Sequence, residues 1–393
     1  MNNLQVLIGY EYKKIFMRKS TLIILAIAVL FTLFSCFEAL IGTVSVEGKP
    51  VYSHYEQMTT NRAYARALNG RKVDADLIGE MQRAYAKVPD IPLCGASEEY
   101  ETYARPYSEI HNLVSSITKD YQNVNGKNYY SLRTKVLQNN LKIMNLSKVE
   151  IKKHLEQNNN IKTPFIFRYT FGYEHIMMLI NSLGIVITFV IAIGLAPIFA
   201  NEHTDRTDQL ILTTRLGKNK AILAKLITGI SFGFIVSVIL LLLLIIPTLI
   251  IYGFDGWNAP IQLILISSTN PLMVWQGVLI LCGMAILSSI LIVSLSLFLS
   301  AKLKSAFGTI VVINIFTITC IFINVPSQYR ILYHLFALLP AKLTSISTIY
   351  FDYIFELFGR GFIRYQTVPV IYFIASAILL LFGYRSFKHH QIS

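Results

Sequence analysis

Glu38, Glu174 and His175 are the residues whose types best suit chemistry. Two carboxylates and an imidazole at the edges of apolar stretches could hold a metal ion or relay a proton. Each also has a simpler reading. Glu38 can reach out to an interface, and Glu174 stands at the start of a helix, where the macrodipole favours an acid. No catalytic role is therefore expected for the three. Gly217-Lys218-Asn219 lacks the upstream glycine and the following hydroxyl of a phosphate-binding loop, so the chain is not expected to bind ATP that way. Neither H-E-x-x-H nor G-x-S-x-G occurs. Cys36, Cys282 and Cys320 lie in apolar runs, and Cys94 has no neighbour, so neither a zinc site nor a disulfide framework is indicated. No enzyme, cofactor or metal is expected.

A second set of polar residues sits at "FANEHTDRTDQLILTTRLGKNKAILAK", Phe199 to Lys225, between two strongly apolar runs. It holds Glu202, Asp208 and the adjacent Thr213 and Thr214, with Leu210, Ile211 and Leu212 at its centre and Arg215 just beyond. A wholly solvated loop would not favour three consecutive aliphatic residues. Lys218, Lys220 and Lys225 are read as solvated bases that simply mark a membrane side.

These residues are positioned by apolar segments. Of 393 residues 54% are hydrophobic and 15% charged, against about a quarter charged in a soluble domain. A helix needs about 20 apolar residues to cross roughly 30 Å of hydrocarbon. Six stretches qualify: Thr21–Ile41, Ile176–Phe199, Leu226–Ile251, Val274–Leu299, Ala306–Val325 and Val368–Tyr384. The first lacks a small-x-small cleavage site at its end and reads as an uncleaved anchor. Asn181 and Asn314 fall within spans, where helix-to-helix hydrogen bonding is their expected role. Pro340, Lys342, Asp352 and Glu356 break up the segment 326–367, leaving external or re-entrant pieces. The net charge of +13 is assigned to lipid head groups and loop orientation, with no nucleic acid as partner. Residues 1–20, 200–225, 301–305 and 385–393 carry thirteen Lys and Arg, whereas 253–273 and 326–367 carry four. Both termini and the Phe199–Lys225 patch are thereby expected on the cytoplasmic side of the cell membrane.

The segment 42–173 is then external. Helical spacing runs through Tyr52–Leu68 and Ala75–Val88, Pro106 interrupts Ser97–Asp120, and Ser147 with Glu150 forms a capping-box pattern opening a helix to Glu156. Gln138–Asn140 and Gln157–Asn160 read as turns. The expected fold is an all-α integral membrane protein: six transmembrane helices, an amphipathic N-terminal elbow helix over 1–20, and a mainly helical extracellular domain between the first two spans.

This arrangement resembles the ABC-2-type permeases, the transmembrane halves of ATP-driven exporters. Three stretches carry the resemblance. "LIGYEYKKIFMRKSTLIILA" matches an elbow helix, with Leu4, Ile8 and Ile15 on one stripe and Lys13, Lys14, Arg18 and Lys19 at the head groups. "TDQLILTTRLGKNKAILAK" is similar to the short coupling helix between spans two and three, and "ILYHLFALLPAKLTSISTIY" to external or re-entrant helices. The large external insertion departs from many members of the family. The resemblance implies a dimer of permease halves, identical or sister chains, served by a separate ABC ATP-binding subunit and moving an unidentified substrate outward. Glu202, Asp208, Leu210, Ile211, Leu212, Thr213, Thr214 and Arg215 would contact that subunit. The alternatives are a non-transporting receptor or immunity protein that binds an external ligand through 42–173, and an intramembrane enzyme built on Glu38, Glu174 and His175.

Overall fold

The structure is a computed structural model describing residues 3–46, 49–88, 97–124, 126, 128–144, 146–207, 217–326, 328–350, 354–357 and 360–388. The chain is mostly helical, as the apolar runs dictate. Helices α1 (Asn3–Phe16) and α2 (Lys19–Ser35) meet at an angle of 72°. Beyond α2 comes a hairpin of β1 (Thr43–Val46) and β2 (Lys49–Ser53), then α3 (His54–Ala67), α4 (Ala75–Tyr85), α5 (Ser108–Ser115), α6 (Tyr129–Ile143) and α7 (Lys148–Asn159). Next come α8 (Phe171–Leu195), α9 (Pro197–Thr204), α10 (Ile222–Tyr252), α11 (Val274–Leu303) and α12 (Ala306–Phe322). Three short helices, α13 (Arg330–Ala337), α14 (Pro340–Leu343) and α15 (Ser347–Tyr350), lead to the hairpin β3 (Ile354–Leu357) and β4 (Arg360–Ile363) and to the final α16 (Arg364–Lys388).

Among the described residues four helical stretches are long and apolar enough to cross a membrane: Phe171–Thr204, Asn219–Tyr252, Val274–Leu303 and Arg364–Lys388. A fifth follows if the bent pair α1–α2 counts as one span, and α12 is a shorter apolar helix of 17 residues. At 1.5 Å per residue, α12 is about 26 Å long, a little under the hydrocarbon thickness. These helices fit a multi-pass membrane protein. Helix α8 is the axis of the bundle, burying Ile180, Leu183, Ile187 and Ile191 against α10 and α11. Backbone closeness matters more than side-chain bulk in such packing. A Cβ on Gly233 would lie 2.3 Å from Val293 Cγ2, so α10 and α11 can touch there only through glycine.

The segment between α2 and α8 folds around its own core of Leu77, Ile78, Met81, Ile110, Val114 and Phe165. Local signals start its helices: Ser53 and Glu56 cap α3 reciprocally, and Ser147 and Glu150 do the same for α7, satisfying N–H groups that a helix start leaves open. The expected break at Pro106 is present, as a π turn and a 3₁₀ turn before α5. Both expected turns are largely helical. Gln138–Asn140 lies inside α6, because buried Leu137 and Leu141 secure that helix from its inner face, and Gln157–Asn159 form the end of α7, where buried Gln157 is held by Asn270, leaving only Asn160 as a turn. The two hairpins were also not foreseen from strand alternation, being only four or five residues per strand.

This domain is not a loosely tethered module. Arg133 is buried and donates to Ile266 O and Ser268 O, both at 2.7 Å, and to Asn158 Oδ1 at 2.7 Å. Gln157 Nε2 donates to Asn270 Oδ1 at 3.0 Å, and His154 Nδ1 lies 3.0 Å from Thr269 Oγ1. All four loop residues belong to the connection between α10 and α11, whose Ile266 joins the domain's core. Glu150 pairs with Arg330 at the start of α13, and Arg62 Nη1 donates to Ile251 O at 2.8 Å. The domain, the 253–273 connection and the 326–364 region therefore share one end of the bundle.

Burial pushes the pKa of His154 down to about 4, so the folded state holds a neutral ring. An unfolded chain takes up that proton near pH 6.5. The stability from this neutral contact is complete above pH 6.5 and is lost as pH falls towards 4, at about 1.4 kcal/mol per pH unit. Glu109, pushed up to about 7 by burial and then by the charge of Glu174, works in the opposite sense and is common to both proteins compared. Between pH 7.5 and pH 5, detergent-purified wild type should lose more unfolding temperature than His154→Gln. Parallel losses would show that the ring is not held neutral.

Candidate functional site

At the opposite end of the bundle, the helices are tied by charge. The sequence places a carboxylate, Glu11, within the apolar stripe Leu4–Ile8–Ile15 of α1, so folding α1 against the bundle carries an acid inward. Ile15 is fully buried, Phe16 meets Phe232 edge-on at 5.9 Å, and Tyr12 donates to Ser231 Oγ at 2.6 Å. Helix α9 supplies a second acid. Pro197 stands in its first turn and lacks an N–H, which suits a helix start. Ser300 of α11 satisfies the rest of that junction, accepting from the N–H groups of Phe199 and Ala200 at 3.1 Å each and donating to Ala196 O at 2.6 Å. Glu202 follows one turn later, its side chain 9% exposed.

Lys225, at the start of α10, enters between the two acids. Its side chain is 1% exposed, and Nζ lies 3.0 Å from both Glu11 carboxylate oxygens, 2.5 Å from Glu202 Oε1 and 3.2 Å from Ile198 O. Lys14, half exposed, closes the cluster from the rim at 2.9 Å from Glu11 and 3.2 Å from Glu202. Arg18 Nη2 reaches Pro197 O at 3.5 Å, carrying the contact to the α1–α2 bend. The Lys225 ammonium is saturated by these oxygens, whereas Glu202 Oε2 is buried with no hydrogen-bond partner among the described residues, and the cluster would be costly to break. Removing one partner of a buried pair typically costs about 3–5 kcal/mol, because the remaining charge has no water to turn to.

The structure changes the reading of the Phe199–Lys225 patch. Lys225 is not solvated as expected: its ammonium is enclosed because α1, α9 and α10 converge on it. Lys220 is exposed as expected, and the Lys218 side chain lies outside the described residues. Glu202 faces inward to Lys225 and Lys14, so its observed partners are within the chain. Asp208, Leu210, Ile211, Leu212, Thr213, Thr214 and Arg215 lie outside the described residues. The two ends of that segment are visible. Thr207 Oγ1 donates to Glu202 O at 3.4 Å, and the helical turn Gly217–Ala221 runs directly into α10. Asn219 accepts from the Tyr384 hydroxyl at 2.9 Å, linking this end to α16. The segment is thus held at both feet, by Glu202 before it and Lys225 after it.

The other polar candidates take different places. Glu38 is exposed on a 3₁₀ turn after α2, while Glu174 and His175 are in the first turns of α8. The His175 ring packs on Tyr252 at 4.8 Å. Among the described residues no group of three or more His, Cys, Asp or Glu has a metal-binding arrangement. Asn181 and Asn314 make no helix-to-helix hydrogen bond among the described residues, against expectation. Asn314 Oδ1 is buried without a partner, and Asn181 lines a cavity of about 290 Å³ with Asn324, Lys342 and Arg364.

No protein-family model matches this chain, and neither does any curated protein or solved structure.

Lys225→Met should leave Glu11 and Glu202 buried together without their shared cation and lower stability by about 3 kcal/mol or more. Adding Glu202→Gln removes one of the stranded charges and should restore part of that loss, a coupling a double-mutant cycle reads directly. Thermal unfolding in detergent provides the measurement, with Lys220→Ala as the exposed control. A Lys225→Met protein that unfolds at the wild-type temperature would mean the cluster contributes nothing.

Proposed function

We propose that this chain is the permease half of an ATP-driven exporter, and that the Glu11–Lys14–Glu202–Lys225 cluster is the base through which a separate ATP-binding subunit moves the membrane helices. One observation carries the reading: the aliphatic and polar segment Leu210–Arg215 stems from two helices locked by a single buried lysine to a third, amphipathic one. A push on that segment reaches α8–α9, α10 and α1 together, because no foot can move without disturbing the shared ions. Leu210, Ile211 and Leu212 enter an apolar groove of the ATP-binding subunit, Thr213, Thr214 and Arg215 make directional polar contacts, and Asp208 adds register. Glu202 acts one step further in, as the fixed point behind the contact.

Six spans form in the bilayer on this reading: the four long helices, α2 and α12. The last two are short, and their ends are met by polar anchors, Arg18 before α2 and Lys342, which donates to Ile321 O at 3.1 Å at the end of α12. Two such halves, identical or sister chains, enclose the pathway. The external domain rides on the 253–273 connection as one unit with the bundle, which suits a permease part better than a freestanding receptor.

The orientation is tested in whole cells with a membrane-impermeant thiol reagent. A cysteine replacing the exposed Lys152 should label, and one replacing Asn219 should not. Reversed labelling would overturn the orientation and the mechanism with it.

The coupling role is tested by Leu212→Asp, which places an unpaired charge in the proposed interface. Even about 2.7 kcal/mol would weaken association about a hundredfold. Membrane insertion and yield should stay near wild type while an ABC ATP-binding subunit co-expressed from the same source is lost in pulldown and export stops. Retention of both would refute docking at this segment.

A further inference from the structure

We infer that the external-domain side of the bundle carries a binding site for the phosphate headgroup of a membrane lipid. The site is a cavity of about 460 Å³ where α3, the chain just before α8, and the turn after α10 meet. At about 30 Å³ per water it has room for roughly fifteen waters, more than a bare phosphate needs.

Three guanidinium groups and one carboxylate line it: Arg62, Arg66, Arg168 and Asp255. Asp255 Oδ2 is already taken by Arg66, through Nε at 2.9 Å and Nη2 at 2.6 Å, which neutralises the one acid. Arg62 spends Nη1 on Ile251 O. Arg168 has neither a hydrogen bond nor an ion pair among the described residues, although its side chain is half-buried at the cavity wall. Asn69 accepts from Tyr169 N–H through Oδ1, so its amide group remains a donor on the same wall. The result is a concave surface of net positive charge with planar, forked donors, the chemistry that suits a phosphate.

The apolar surroundings select a lipid over a free anion. Phe254 and Trp257 line the cavity and are 60% and 56% exposed, and Ile250 and Ile246 continue an exposed apolar track down α10 from its rim. An aromatic rim at the end of an apolar helix belongs at the membrane–water interface, with acyl chains on the helix below and headgroups at ring level. The turn is built for this close approach. Gly253 has φ +106°, and a Cβ there would lie 3.0 Å from Asp255 Oδ2 and 3.2 Å from Arg66 Nη2.

The test uses the full chain, purified in detergent and delipidated, with native mass spectrometry and thermal unfolding as readouts. The probes are dioleoyl phosphatidylglycerol, dioleoylglycerol of the same chains, and inorganic phosphate. Phosphatidylglycerol should bind saturably and raise the unfolding temperature, dioleoylglycerol should bind at least about tenfold more weakly, and inorganic phosphate should leave the temperature unmoved. Arg168→Gln should weaken phosphatidylglycerol about tenfold, the value of one lost charge-assisted bond, with Arg168→Lys between the two and Lys152→Gln unchanged. If Arg168→Gln does not fold, the Arg168→Lys loss decides. Equal binding of the diacylglycerol, or of wild type and the Arg168 variants, would overturn the site. Protection by inorganic phosphate equal to that by the lipid would make it a free-anion pocket and overturn the lipid assignment.

Discussion

A lysine ammonium does not stay at 1% exposure unless something replaces its water, and much of one end of the bundle follows from that requirement. Lys225 lies in the first turn of a helix of 31 residues that is otherwise almost wholly apolar. Its ordinary course would be to extend its stem along the helix and reach water. Here α1 lies across that route and Ile198 O, Glu11 and Glu202 complete its shell. The amphipathic helix is consequently more than a surface float. It brings in a carboxylate that the bundle needs, and Glu202 can be buried only because the same ammonium is there. Three helices from distant parts of the chain are interdependent through one nitrogen.

The two ends of the bundle are held by different chemistry, and the difference has mechanical consequences. On the external-domain side, Arg133 and Gln157 grip fixed backbone and amide oxygens of the 262–270 stretch, each bond with one partner and one length. Such contacts either hold or break. At the other end a single ammonium lies within 3.0 Å of oxygens from two carboxylates, with Lys14 bridging both acids from the rim. Relative sliding of α9 against α1 would pull a carboxylate away from the ammonium that both acids share, so the cluster holds these helices in register. Both ends are held fast, one by hydrogen bonds to carbonyl and amide oxygens and the other by shared charge.

Much of this architecture was legible in the sequence, and the misses share a cause. Each of the six apolar runs is helical over most of its length, because twenty apolar residues in a row have few other outcomes. The Ser147–Glu150 box and the break at Pro106 were readable because they are local, involving residues three or four apart. What escaped was decided by distant partners. Lys225 looks like any base flanking a span until α1 is folded over it. Glu11 did leave a trace, as the one acid on the stripe Leu4–Ile8–Ile15, where an apolar residue would be expected; an acid there asks for a buried cation, and Lys225 is the base at the opposite edge of an apolar run. Gln138–Asn140 has the composition of a turn, but the flanking Leu137 and Leu141 bury on the inner face of α6 and keep it helical.

The asparagines of the apolar helices extend the contrast between kinds of polar contact. An amide within a bundle usually finds a neighbouring helix, since hydrocarbon offers no alternative partner. Asn314 Oδ1 nevertheless stands buried and unbonded on α12, and Asn181 opens onto a cavity with Lys342 and Arg364 instead of onto a helix. Lys342 is already committed to Ile321 O and Asn324 Oδ1, and Arg364 donates to Ala337 O, so both cations in that wall are held in place by the chain itself. In the chain's ion cluster every near partner of Lys225 is internal and the group ties helices together; around Asn181 the cations are held by backbone and amide oxygens, and the amide itself bonds to no second helix among the described residues. The first kind of polar group holds helices together, whereas the second lines a cavity between them.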